Sequence, residues 1–161
     1  MSPNAKIIAR HLFLRFKSMR YLLSFFSVLT FLTNANLVSA DIIQIKFTEN
    51  DSYSIEVAHI DIGDTIEWLP KNKGHNVEFL AGPKMDALPA KSEIDAFHSV
   101  VFEVPGIYLY QCTPHGNMGM LGLVVVGNDF HNLDDIKKTQ LSRVATSVMN
   151  RLINSAKLDS K

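Results

Sequence analysis

Between residues 41 and 127 the sequence is cut into seven short β-rich runs, at 41–47, 53–60, 64–70, 75–80, 97–104, 106–112 and 120–127. Each shows partial alternation of apolar and polar residues, the two-residue period that lines one face of a pleated strand. The segments TEND, DIGD, PKNKG and VPG between them are turn chemistry. Seven strands at this spacing predict an antiparallel sandwich or barrel. The stretch 81–96, AGPKMDALPAKSEIDA, has no strand pattern and is expected to cross between the sheets.

After Gly127 the period changes. Asn132 is placed to cap a short helix over 133–138, with Asp134 and Asp135 near its positive end. Leu141, Val144, Ala145, Val148, Met149 and Leu152 then recur at helical spacing, which predicts an amphipathic helix packed on the sandwich.

The N-terminus has a different character. Residues 1–20 carry Lys6, Arg10, Arg15, Lys17 and Arg20 and no acid, and run into the apolar block YLLSFFSVLTFLT at 21–33. In NLVSA, Val38 and Ala40 occupy the small-residue positions that suit cleavage before Asp41. That order predicts a secretory signal peptide over 1–40, starting at Met1 or at Met19. The 13-residue apolar block is short of the ~17–25 residues of a spanning helix, so no stable membrane association is expected once it is removed. The leader takes five of the 16 Lys and Arg and none of the 16 acids; the 121 residues left carry 11 cations and a formal charge of −5. This balance argues against nucleic-acid binding. The expected organisation is therefore a leader over 1–40, a β-domain over 41–127 and a helical extension over 128–161, exported to an oxidising compartment.

The chain has one cysteine, Cys112, within QCTPHGNMGM at 111–120. No disulfide can form within the chain, so the thiol is filler, nucleophile or metal ligand. An exposed unpaired thiol is at risk in an oxidising compartment unless something occupies it. Cys112 and His115 form a C-x-x-H pair on a strand-to-strand loop, and Met120 opens the next strand. A second imidazole must come from His59, His75, His98 or His131. His75 stands out, because it heads the 75–80 run and Gly74 before it permits close backbone approach. A thiolate, two imidazoles and a weak thioether are the donor set of a copper electron-transfer site. Zinc fits less well, since structural zinc sites usually use more than one cysteine. His59, His98 and His131 have no such company and are expected to be ordinary histidines; Trp68, Phe79, Phe102, Tyr108 and Tyr110 are expected in the core.

KGHNVE together with YQCTPHGNMGM resembles the cupredoxins, the blue copper proteins, and within them the pseudoazurin branch. The pattern is histidine, cysteine 37 residues later, histidine at +3 and methionine at +8. The resemblance implies an all-β Greek-key sandwich of seven to eight strands with two C-terminal helices, holding one type 1 copper ion. It implies His75 Nδ1, Cys112 Sγ, His115 Nδ1 and axial Met120 Sδ as ligands. Asn76 matches the asparagine that ties the ligand loops and helps hydrogen-bond the sulfur. Gln111 departs from the lysine common before the cysteine. Met118, at +6, fits the shorter amicyanin-like loop and is the alternative axial ligand, but the GNMG spacing favours Met120.

Lys71, Lys73, Lys84 and Lys91 are expected around the copper end, as a basic rim steering towards an acidic partner. Pro114, Gly116 and Met118 are expected to form an apolar tip at the edge of His115. The function implied is a monomeric periplasmic electron carrier and not an enzyme, since four protein ligands leave no position for substrate. The resemblance suggests a copper nitrite reductase, a nitrous oxide reductase or a c-type cytochrome as partner. Copper delivery or storage is the alternative, which scattered Met85, Met118 and Met149 support poorly.

Overall fold

A computed structural model describes residues 39–160; the expected signal peptide falls almost wholly outside them. Seven strands form among the described residues: β1 (Ile42–Lys46), β2 (Val57–Ile60), β3 (Thr65–Leu69), β4 (Glu78–Ala81), β5 (His98–Val101), β6 (Gly106–Gln111) and β7 (Leu121–Val126). Two helices follow, α1 (Leu133–Lys137) and α2 (Arg143–Asp159). The strands divide into a three-stranded sheet, β1-β3-β5, and a four-stranded sheet, β2-β7-β6-β4.

The antiparallel expectation is corrected in two places. β1 pairs with β3, and β2 with β7, in parallel. The chain visits the opposite sheet between β1 and β3, so an even number of reversals returns it in its original direction. Segment 82–97 does connect β4 in one sheet to β5 in the other, through a single 3-10 turn at Met85–Ala87.

Two apolar clusters hold these layers. The first includes Ile45, Phe47, Tyr53, Ile66, Trp68, Phe79, Phe102, Tyr108 and Tyr110, with Cys112 and Met120 among its members. The second unites Ile107, Leu109, Leu121 and Leu123 with Ile136, Ala145, Met149, Leu152 and Ile153 of the helices. Alternate residues of β6 therefore serve different clusters, which is why Ile107–Tyr110 are all buried. Each large side chain so buried contributes about 1.5–3 kcal/mol. Gly122 lies opposite Tyr110 in the β6–β7 register, and the Tyr110 ring fills the space that a side chain at 122 would need.

Helix α2 turns a slightly different face inward than the sequence stripe predicts. Ala145, Met149 and Leu152 are buried as expected, joined by Ile153 and Ala156, while Val144 is 55% exposed. Asn132 does not cap α1 with its side chain. Its Oδ1 accepts from Ile107 N–H at 2.9 Å and its Nδ2 donates to Ile107 C=O at 2.8 Å. The β4–β6 pairing reaches only as far as Leu109, so the side chain satisfies backbone groups that the sheet leaves open.

Candidate metal centre

The site lies at the end of β6 and in the loop before β4. His75 sits three residues ahead of Glu78, so it belongs to the loop and not to the head of β4 as expected. Cys112 directly follows β6, and the segment from Cys112 to Met120 closes on itself. Cys112 N–H donates to Met120 C=O at 3.1 Å, Met120 N–H to His115 C=O at 3.2 Å, and Gly116 N–H to Cys112 C=O at 2.7 Å. Gly119, at φ +104°, supplies the left-handed turn that ends this segment.

Three donor atoms converge there. Cys112 Sγ lies 3.7 Å from His75 Nδ1 and 3.5 Å from His115 Nδ1, and the two Nδ1 atoms are 3.1 Å apart. Metal–nitrogen and metal–sulfur bonds of about 2.0–2.3 Å to a common ion require separations of this order. Among the described residues, this is the group of His, Cys and carboxylate side chains close enough to share an ion. His75 is 3% exposed and Cys112 is buried, while the His115 side chain keeps 22% exposure. Met120 is buried in the same cluster as Cys112, whereas Met118 is 63% exposed. His59, His98 and His131 stay outside the group: His59 is exposed on β2, His98 packs against Trp68, and His131 pairs with Asp129.

Burial pushes the Cys112 thiol up, opposed by the backbone amides of Asn76 and His115, which favour the thiolate. Burial also lowers His75, reinforced by the neighbouring His115, while Asp51 and Asp95 pull it the other way. Without a cation the pocket thus favours neutral forms; a bound metal takes the place of the thiol proton.

The two loops are tied through Asn76. Its Oδ1 accepts from Thr113 N–H at 2.7 Å, and its Nδ2 donates to Thr113 Oγ1 at 3.0 Å and to Ser92 C=O at 3.3 Å. Three further residues went unnoticed in the sequence. Asp95 Oδ1 accepts from Gly74 N–H at 2.6 Å, and its own N–H donates to His75 C=O at 2.8 Å. Asp51 Oδ1 lies 3.6 Å from His75 Nε2. Ser142, which caps α2, donates its hydroxyl proton to Asn117 C=O at 2.6 Å. Their only sequence signal is that Asp and Ser favour turns and caps.

The expected basic rim forms only in part. Lys91 is engaged by Glu78 at 3.5 Å. Lys84 follows Pro83, which abuts Gly106 at the opposite end of β6. Lys71 and Lys73 are exposed in the segment before His75, and the acids Asp51, Glu93 and Asp95 also lie around the site. Gly116 is buried under Gln111 instead of forming the tip, leaving Pro114 and Met118 exposed beside His115. Of the methionines weighed for a delivery role, Met149 is in the helix core.

A sequence profile of the copper-binding proteins of the plastocyanin/azurin family matches residues 43–127. The chain is 40% identical over 83 residues to the pseudoazurin of Methylorubrum extorquens, covering 51% of this chain and 56% of that one. It is 38% identical over 88 residues to the pseudoazurin of Paracoccus pantotrophus, covering 54% and 61%. It thus spans less than two thirds of the length of these curated relatives. The refined crystal structure of pseudoazurin from Methylobacterium extorquens AM1 superimposes with a TM-score of 0.65 at 30% identity, covering 71% of this chain and 98% of that one.

Proposed function

This chain belongs to the plastocyanin/azurin family of copper-binding proteins, and we propose that it is a type 1 copper protein that carries single electrons between redox partners in the periplasm. The observation that carries this reading is a lone buried thiol within 3.7 Å of two imidazole Nδ1 atoms, contributed by loops 37 residues apart. His75 Nδ1, Cys112 Sγ, His115 Nδ1 and Met120 Sδ would hold the metal. The donor set fits copper: thiolate and thioether suit Cu(I), and imidazole tolerates both oxidation states. Bound copper supplies a one-electron couple and an intense thiolate-to-metal absorption.

The chain's own groups make such a site serviceable. Cys112, His75 and Met120 are buried and keep water away. Asn76 and Asp95 fix the loops, so the donors need not rearrange when charge changes. His115 is the ring that reaches solvent, between exposed Pro114 and Met118, and offers the contact through which a partner couples. Four protein donors leave no position for a substrate, which supports a carrier and not a catalyst. A copper nitrite reductase, a nitrous oxide reductase or a c-type cytochrome has the chemistry of a partner. Residues 1–40 act as the export signal, 41–127 as the copper domain and 128–161 as its helical brace.

The test is the optical and paramagnetic-resonance spectrum of the copper-loaded chain. A strong visible band that bleaches reversibly on reduction, and that Cys112→Ser abolishes, is the expected result. A colourless protein, or colour that survives Cys112→Ser, refutes the assignment.

A further inference from the structure

Among the described residues, backbone bonds to the sandwich begin at Asp41. Ser39 and Ala40 are exposed and lie outside any strand. Asp41 is bonded on both sides: its carbonyl accepts from Thr65 N–H at 2.9 Å, and its N–H donates to Asp64 Oδ1 at 2.7 Å. Asp64 is only 6% exposed, and its second oxygen accepts from Asp61 N–H at 2.8 Å. Among the described residues, no lysine, arginine or histidine forms an ion pair with this carboxylate; the carboxylates of Asp41, Asp61 and Asp159 and the imidazole of His59 line the same surface cavity as Asp64. A buried charge served only by neutral donors is costly to keep.

We infer that the Ala40–Asp41 bond is the processing point, and that the α-ammonium created there is the cation Asp64 is placed to hold. Hydrolysis by an export peptidase consumes one water. The Ala40 carbonyl carbon takes its hydroxyl and departs with the leader as a carboxylate, and the Asp41 nitrogen gains protons and becomes an ammonium. An α-amino group ionises near pH 7.7–8.0, roughly, so the new terminus is charged at neutral pH. The contact to Asp64 changes from a hydrogen bond between a neutral amide and a carboxylate to one between two opposite charges. The mature fold is therefore tighter than the same fold with its leader attached, which leaves the precursor easier to unfold for export. This inference rests on the proposed export and is independent of the copper ligands.

The experiment compares the copper-loaded chain beginning at Asp41 with the same chain Nα-acetylated, which keeps an N–H donor as the precursor does but carries no charge. Terminal sequencing of the exported protein should read Asp41 first. At neutral pH the free form should show a folding equilibrium constant larger by about tenfold, the effect of a rise of about one unit in the ammonium pKa on folding. Asp64 raises the ammonium pKa in the folded state, so the advantage is full below the unfolded value and is lost as pH rises through the folded one. In an Asp64→Asn background the gap between the two forms should vanish; each background is compared with itself, so any general loss of stability cancels. A different terminus, equal stability of the two forms, or a gap that survives Asp64→Asn or high pH overturns the inference. Failure of the copper spectrum would bear on the ligands alone.

Discussion

Asn76 and Thr113 are joined by two hydrogen bonds, at 2.7 and 3.0 Å, running in opposite donor senses. One residue adjoins His75 and the other adjoins Cys112, so this pair sets how far apart the two metal-bearing loops stand. Asn76→Ala leaves the Thr113 N–H without its partner. Since Asn76 is buried, the expected cost is about 1–3 kcal/mol. Denaturant unfolding measures it, and the copper resonance of the variant should broaden as the loops separate.

Ser142 has two duties that substitution can separate. Its Oγ accepts from Ala145 N–H at 3.1 Å, capping α2, and donates to Asn117 C=O at 2.6 Å, holding the loop of His115. Ser142→Ala removes both and should cost about 1 kcal/mol. Ser142→Asp retains the acceptor but has no proton for Asn117. It should keep helix stability near that of the parent while copper passes faster to a chelator. Ser142→Thr should restore the parental rate.

Acid stability should depend on Glu78. Its carboxyl is held below the usual range, first by the Gln111 hydrogen bond and further by Thr113 and Lys91. A lowered carboxylate contributes stability that is present above its unfolded pKa and is lost as pH falls through the folded one. Glu78→Gln should therefore flatten the decline in stability below about pH 4.3, the ordinary glutamate value, as read from unfolding midpoints along a pH series.

Gly122 should tolerate no side chain. The ring of Tyr110, fully buried on the neighbouring strand, occupies the space where its Cβ would go. Gly122→Ala should displace that ring from a packed core at a cost of about 1–3 kcal/mol, measurable in thermal unfolding.

The parts legible in the sequence are those whose signal is local. Cys112, His115 and Met120 share one loop, and His75 was singled out by the glycine before it; the structure brings the three atoms of His75, Cys112 and His115 together. Five strand runs also lie close to their expected positions, while the one expected from residue 75 begins only at Glu78. The expected strand from residue 53 begins only at Val57, because Tyr53 instead forms an isolated bridge with Phe47. Strand direction was not legible, since nothing within a run records which sheet the chain visited last. Asp51, Asp95 and Ser142 reach the site from 20 or more residues away along the chain, and no spacing rule links them to a ligand. Asn132 looked like a cap because its type suits one; only the register of β4 against β6 reveals that Ile107 claims its amide.

The mixed charges around His115 carry a kinetic consequence. Lys91 is paired with Glu78, and the acids Asp51, Glu93 and Asp95 share this end with Lys71 and Lys73, so the proposed docking end mixes both signs of charge and forms no basic patch. The ionic-strength dependence of encounter with a charged partner should then come from the formal charge of −5 carried by residues 41–161 and not from a patch at this end. If the chain is the proposed electron carrier, selection among redox proteins falls to how closely their surfaces fit Pro114 and Met118.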